Sequence, residues 1–172
     1  MIKKYSIFKE STDWNKILHE GTWTGKKLLK DNHYYMDFEK IKLSVNNGAD
    51  VDSCETLGWA VRMNNFEVTK FMLENGANVN YQNNNCKWTP LMSASDDGYV
   101  EIAKLLIDYN ANPFIGNFQG FTTLDVINPN TNAKGAIFSY EQASKDIQRQ
   151  RDKIRDYLYK HSIYMISQKY NL

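Results

Sequence analysis

The sequence predicts an all-α solenoid of stacked helix–turn–helix units. Two recurring marks indicate this fold. The first begins at Glu55 in "ETLGWA", at Thr89 in "TPLMSA" and at Thr122 in "TTLDVI", with spacings of 34 and 33 residues. The second is a Gly or Asn at a helix end, and Gly76 and Asn110 each follow the first mark by 21 residues. Because two independent marks keep one internal distance, we infer a repeated unit.

The second helix of the unit aligns in three copies. "FEKIKLSVNNGADVD" from Phe38, "FEVTKFMLENGANVN" from Phe66 and "VEIAKLLIDYNANPF" from Val100 share Glu in the second column and Lys in the fifth. Apolar residues recur in the sixth and eighth columns, and spacings of two, three and five from the leading apolar residue are interpreted as one buried helical stripe. We therefore expect Leu73 and Leu105 to be core residues of adjacent helices.

Each unit also contains two positions suited to the left-handed backbone conformation. Gly48, Gly76 and Asn110 end the second helices, while Asn64 and Gly98 lie between the two helices of a unit. Gly adopts this conformation without a Cβ penalty, and Asn is the next best residue. A unit is therefore predicted to be a short helix, a tight turn, a second helix and an extended polar connection.

These units resemble ankyrin repeats. The resemblance rests on the period, on T-P-L-x-x-A followed by a Gly turn, and on G-A-x-V-N after the second helix. "WTPLMSASDDGYVEIAKLLIDYNANP" is the strongest unit, with Met92 in place of the usual His, and "FTTLDVI" is similar to the start of a terminal unit. The resemblance implies an ankyrin-repeat solenoid with finger loops, in one domain over residues 1–172 whose recognisable repeats occupy 38–127.

The N-terminal segment, 1–37, is expected to be an atypical cap. "KLLKDNHYYMD" would occupy the slot of a first helix, with Asn32 in place of the small buried Ala. Residues 1–24 align with no unit, although "DWNKIL" is compatible with a helix. End repeats depart from the pattern because one of their faces has no neighbouring repeat.

The C-terminal segment, 128–172, is expected to hold an insertion loop and a long capping helix. Ser139 and Gln142 fit a capping box. Apolar residues then recur at helical spacing between charged ones, at Ile147, Ile154 and Leu158. The run "RQRDKIR" is interpreted as a solvated face of this helix. A helix reserved for a partner is the alternative to a cap.

Composition argues against several classes of function. The formal net charge is +1, which gives no support for binding nucleic acid. No window approaches the ~18 consecutive apolar residues of a membrane span, and charged residues interrupt any signal-peptide segment near the start. Cys54 and Cys86 lack metal-site spacing, and we expect two reduced thiols, with a disulfide as the alternative. These features favour a cytoplasmic monomer without a membrane contact.

No catalytic constellation, cofactor motif or metal motif is evident. His19, His33 and His161 lie far apart without partners at motif spacing, and there is no Gly-rich phosphate loop. Asp96 and Asp97 are interpreted as solvated acids at a helix end rather than as a catalytic pair.

The favoured function is therefore a non-enzymatic module that binds a protein through the concave ankyrin face. An inhibitor is a plausible form of it, such as an immunity protein, an antitoxin or a phage counter-defence protein. A viral ankyrin protein acting on host signalling is one alternative. An enzyme with a site in the non-repeat ends, around Trp14–His33 and Tyr140–His161, is the other.

The resemblance to ankyrin repeats also implies which residues face the partner. In that family the fingers and the exposed side of the inner helices usually form the recognition surface. The residues mapped onto it are Arg62, Met63, Asn83, Asn85, Trp88, Asp96, Asp97, Phe118, Gln119 and Phe121, with Cys54 and Cys86 beside them. Trp88, Phe118 and Phe121 are expected to be exposed aromatic anchors; packing of Trp88 or Phe121 over the finger base is the alternative.

Overall fold

Eight helices make up the regular structure of the computed structural model, which describes residues 13–22, 36–128 and 145–170, with side chains as far as 161. No strand occurs in these ranges, in agreement with the all-α prediction. The helices are α1 (Trp14–Thr22), α2 (Phe38–Asn46), α3 (Thr56–Arg62), α4 (Phe66–Glu74), α5 (Pro90–Asp96), α6 (Val100–Asp108), α7 (Thr123–Val126) and α8 (Lys145–Tyr170). The described chain divides into two compact structural units, each larger than a single repeat. The first unit is residues 1–56 and the second is residues 57–172, and each is described separately.

The predicted left-handed turns are confirmed. Gly48, Gly76 and Asn110 follow α2, α4 and α6 with φ of 95°, 86° and 63°. Asn64 and Gly98, between the helices of their repeats, have φ of 52° and 73°. Each of the helices α2 to α6 therefore ends within two residues of one that tolerates positive φ.

Of the two predicted core columns of the second helices, the eighth is buried in α4 and α6 and the sixth is not. Leu73 is buried as expected, but Leu105 is only half-buried, and the buried residues of α6 are Ile102, Ala103, Leu106 and Ile107. In α2, the residue of the Leu105 column, Leu43, is 50% exposed. The fourth and seventh columns, which are separated by three residues and share one helix face, are buried in all three helices, and the third and eighth columns join them in α4 and α6. The assignment of Leu105 to the core was wrong.

In the first unit, α1 is the first helix of a repeat. The Asp37 N–H, at the start of α2, donates to the carbonyl of Gly21 in α1 at 2.8 Å. Two later repeats contain the equivalent bonds, Asn65 N to Ala60 O and Tyr99 N to Ala94 O, at 2.9 and 2.8 Å. Gly21 therefore occupies the small-residue position. The segment predicted for this slot, "KLLKDNHYYMD", lies outside the described residues except at Met36 and Asp37, and so does Asn32.

Close packing explains why this position holds Gly. A Cβ on Gly21 would lie 3.1 Å from both the Cγ1 and the N atom of Ile41 in α2. Gly21 and Asp37 are 16 positions apart, whereas the equivalent residues of the later repeats are five apart. The first repeat therefore carries an insertion between its helices. Thr22, the residue after Gly21, shares a buried hydrogen bond of 2.9 Å with Thr56, and this bond joins their Oγ1 atoms.

In the second unit, two fingers are built on asparagines that lie 34 residues apart. The Asn83 Oδ1 atom accepts hydrogen bonds from the backbone N–H groups of Cys86 and Trp88, both at 3.1 Å. The Asn117 Oδ1 atom accepts from Phe121 N at 3.0 Å. The fingers also contact each other, since Phe118 N donates to the carbonyl of Cys86 at 3.2 Å. The Asn83 amide oxygen therefore has a structural role.

The long helix α8 packs on α6 and on the end of α5. Ile154 and Leu158 are buried, as their spacing predicts. Tyr157 donates from its hydroxyl to the Asp108 Oδ1 atom of α6 at 2.8 Å. Arg151 is buried as well, so the interpretation of 149–155 as a solvated face was wrong at this residue. The predicted capping box of Ser139 and Gln142 lies outside the described residues.

Candidate functional site

A small pocket lies where the first helices of two neighbouring repeats meet a finger in the second unit. Its volume is about 50 Å³. The residues that line it are Arg62, Asn83, Cys86, Trp88, Ser93, Asp96 and Asp97. Six of these seven were selected from the sequence. Ser93 was missed, although it precedes Asp96 and Asp97 by three and four residues and so shares their helix face.

The other predicted contact residues do not line this pocket. Asn85, Phe118 and Gln119 are exposed on the fingers, whereas Met63 and Phe121 are half-buried. Phe118 is 64% exposed, which agrees with the expectation of an exposed aromatic side chain. The predicted surface thus consists of a compact pocket and a separate set of finger residues.

Cys54, from the wider mapping, belongs to the first unit. Its thiol lies 3.6 Å from the carbonyl of Asn15, to which it donates. Cys54 and Cys86 are both free, half-buried cysteines, so the expectation of two thiols is confirmed.

Trp88 is a wall of the pocket and not an exposed anchor. Only 6% of its surface is accessible, and it packs with Met92, Val126 and Cys86. Its backbone N–H is held by Asn83. The prediction that Trp88 protrudes towards a partner was wrong because the finger folds its ring over the repeat core. Replacement of Trp88 by Ala would therefore remove core packing as well as pocket surface.

Asp96 is buried in an ion pair and is not solvated. Asp96 is 2% exposed, and the guanidinium of Arg151, on α8, contacts its carboxylate. The Arg151 Nε and Nη2 atoms also donate to the Asp96 carbonyl oxygen at 2.8 and 2.6 Å. A cation at this place is favourable because the last carbonyls of a helix carry partial negative charge. The prediction of a solvated, partner-facing Asp96 was wrong.

Arg151 is the residue that sequence reasoning missed. Helical periodicity could have found it. One helical stripe contains positions 147, 151, 154 and 158, and Arg151 is its only charged member. A charge on an apolar stripe is unfavourable unless a buried partner neutralises it. Asp96 provides that partner 55 residues away.

Asp97 is the carboxylate that remains available in the pocket. Burial raises the pKa of Asp97 above its ordinary value of 3.8, and the nearby positive charges of Arg62 and Arg151 oppose that rise. Among the described residues, none makes a hydrogen bond or ion pair with its side chain. Arg62 is exposed, with its guanidinium carbon 5.3 Å from the centre of the Trp59 ring.

The pocket offers groups for recognition: a carboxylate, a guanidinium, a thiol, a hydroxyl and an aromatic wall. The thiol of Cys86 donates to the Asn83 Oδ1 atom at 3.3 Å. Within the described ranges, no group of three or more His, Cys, Asp or Glu side chains could hold a metal ion. No described helix is both long and apolar enough to cross a membrane.

A family model for ankyrin repeats, in three copies, matches residues 29–123. This chain belongs to the ankyrin-repeat family. Its match to the family model spans more than half of the sequence and includes every residue that lines the pocket.

The chain is similar to parts of several differently named proteins. The chain is 28% identical over 135 residues to the palmitoyltransferase AKR1 of Lachancea kluyveri, covering 72% of this chain and 18% of that protein. It is 34% identical over 106 residues to the BTB/POZ domain and ankyrin repeat-containing protein NBCL of Lotus japonicus, covering 59% and 22%. It is 37% identical over 70 residues to protein phosphatase 1 regulatory subunit 27 of Mus musculus, covering 41% and 45%. The chain thus spans less than half of each relative.

Proposed function

We propose that this ankyrin protein is a non-enzymatic module that binds a protein partner at the pocket and the adjacent fingers. The observation that carries the proposal is the convergence of three elements on one site. Arg62 comes from the end of α3, Asp97 from the end of α5, and Cys86 from a finger that Asn83 holds in place. Rigid elements that present polar groups around an aromatic wall are suited to recognition of a partner.

We further propose that binding inhibits or regulates the partner, as an immunity protein or antitoxin would. One similar ankyrin protein is named as a regulatory subunit of protein phosphatase 1. A small module that covers an enzyme needs no catalytic group of its own. The likeness to a palmitoyltransferase covers 18% of that protein and supports the repeats alone. A cytoplasmic, monomeric chain with one ankyrin domain over residues 1–172 belongs to the same proposal.

The test is affinity capture from the native host with quantitative mass spectrometry. Asp97→Arg reverses the charge in the pocket, and Glu101→Arg makes the same change on an exposed side chain of α6. We expect a specific partner to be lost at least tenfold with Asp97→Arg and kept with Glu101→Arg. A partner that both variants retain would move the binding surface away from the pocket.

An unbiased activity screen of the purified protein tests the enzymatic alternative. We expect no turnover of small molecules above the background of a mock purification. Turnover above that background would contradict the non-enzymatic proposal, and its loss or persistence in Asp97→Arg would tell whether the pocket is the site of the reaction.

A further inference from the structure

We propose that the pocket receives one basic side chain, a Lys or Arg, of the protein partner, with Asp97 as its counter-ion. This inference rests on the proposed function and specifies the chemistry of the same site. Three observations support it: the distribution of charge among the two aspartates and two arginines, the direction of the α5 helix, and the size of the pocket.

The charges at the end of α5 are only partly compensated. Arg151 neutralises Asp96 and also binds the Asp96 carbonyl, and this ion pair is buried. Asp97 lies beside it, partly removed from water, and has no hydrogen-bonding side chain among the described residues. Its raised pKa reflects a desolvation cost on the charged carboxylate. A cation that pairs directly with Asp97 would offset this cost.

The helix direction favours a cation at the same place. Asp97 is the C-cap of α5, where the last carbonyl groups of the helix give a partial negative charge. The Asp97 carboxylate attracts a positive group and repels a negative one, and the partial negative charge of the helix end adds to this field, while the last carbonyl oxygens themselves already accept hydrogen bonds from Tyr99 N and Arg151. An acidic side chain of the partner would therefore meet two unfavourable fields.

The positive charge of Arg62 would favour an acidic ligand, but the exposed position of Arg62 weakens this attraction. Arg62 is exposed and its guanidinium lies against Trp59. Water and salt screen an exposed charge more than a partly buried one. Asp97 is the more deeply placed charge, so we expect it to decide the sign of the ligand.

The pocket has room for the end of one side chain. Its volume of about 50 Å³ is a few times the ~10–15 Å³ that holds a single water by the same kind of measure. Trp88 and Cys86 provide a wall for the methylene groups of a Lys or Arg stem. A cofactor or a folded ligand does not fit a space of this size.

The experiment is an NMR titration of the ¹⁵N-labelled full chain with ethylguanidinium, n-butylammonium and propionate. We expect both cations to shift the amide resonances of Cys86, Ser93 and Asp97 in a saturable way, and propionate to leave them unchanged. Asp97→Asn should weaken cation binding at least tenfold. Glu101→Gln, which removes an exposed carboxylate on α6, should leave it unchanged, and Arg62→Gln, which removes a competing positive charge from the pocket, should strengthen it.

Two results would overturn the inference. Propionate shifts that disappear in Arg62→Gln would show that the pocket takes an acidic side chain. Absence of saturable shifts with either cation would show that the pocket has no cation site, provided that circular dichroism shows native helix content. Affinity capture of the partner tests the proposed function separately. If the partner is lost with Asp97→Arg but the NMR titration shows no cation binding, the proposed function stands and the proposal of a basic anchor is rejected.

Discussion

Two turns in the second unit have the same backbone and different surroundings. The turn between α3 and α4 follows Arg62 and contains Asn64, and the turn between α5 and α6 follows Asp96 and contains Gly98, at the same repeat positions. Asn64 and Gly98 have φ of 52° and 73°, so both turns pass through the left-handed region. Arg62 is nevertheless exposed to solvent, whereas Asp96 is buried.

The helix α8 accounts for the difference. Arg151 binds both the carboxylate and the carbonyl of Asp96. A Cβ on Gly98 would lie 3.1 Å from the Cβ of Gln150, so α8 also approaches the turn itself. The repeat therefore determines the backbone of a turn, while the element packed against the turn determines whether its charged residue faces water or an ion pair.

The largest expected effect comes from removal of the buried cation. Arg151→Met keeps the apolar stem but leaves the Asp96 carboxylate buried without its charge partner. We expect the free energy of unfolding to fall by ~3–5 kcal/mol, the usual cost of breaking a buried ion pair. Urea denaturation measures it. Arg149→Met, on an exposed part of α8, should change stability by ~0.5 kcal/mol or less.

The double variant Arg151→Met with Asp96→Leu sharpens this prediction. Replacing both charges by apolar groups removes the buried carboxylate together with its cation, so most of the lost stability should return. Equal losses from Arg151→Met and Arg149→Met would instead show that α8 does not dock on the second turn as described, and the contrast between the two turns would lose its cause.

A smaller effect is expected when the residue with positive φ in each turn is replaced by Ala. Gly98→Ala introduces both the ~1–2 kcal/mol penalty of left-handed backbone and a close approach to Gln150. Asn64 already has a Cβ at positive φ, so Asn64→Ala should lower the free energy of unfolding by about 1 kcal/mol or less. Thermal unfolding of both variants tests the order. A similar loss in the two variants would mean that Gln150 moves aside without cost.

The sequence pattern predicted these turns because their cause is local. Gly and Asn at fixed positions of a repeat report the backbone conformation directly. The burial of Asp96 has no such signal near it, since its partner Arg151 lies 55 residues away on a helix outside the repeat pattern. Trp88 was misplaced for a related reason: a finger residue can project outward or fold back, and only the packing with Met92 decides this.

Two further differences between the sequence-based prediction and the structure also have physical causes. The helix α1 escaped alignment because an insertion separates Gly21 from Asp37, so the fixed period is lost although the backbone hydrogen bond between them is kept. Leu105 was placed in the core because it is apolar and adjacent to the stripe. In a nine-residue helix, one column of error moves a side chain by about 100° around the axis, from the core to its edge.

The smallest expected effect concerns Asp97, which lies one residue after Asp96 but has no ion pair from α8. Its pKa is raised above 3.8 by burial. Between pH 3.8 and the higher folded-state pKa, the folded protein therefore binds more protons than the unfolded chain, and this group lowers stability as pH rises. Above that window the destabilisation is fully present, and below pH 3.8 it is absent. Asp97→Asn, which carries no charge, lacks this pH dependence.

We therefore expect Asp97→Asn to be more stable than the wild type at pH 7, by about 0.3–1 kcal/mol, the size of a helix-end charge effect. The difference should shrink as the pH falls towards 3.8. Urea denaturation of both proteins between pH 3.5 and 7 measures it, with Glu101→Gln as the control for loss of an exposed carboxylate. A less stable Asp97→Asn at pH 7 would show that Asp97 has a favourable partner in the folded protein. Asp97 would then resemble Asp96, and the pocket would lack the uncompensated carboxylate on which a basic ligand depends.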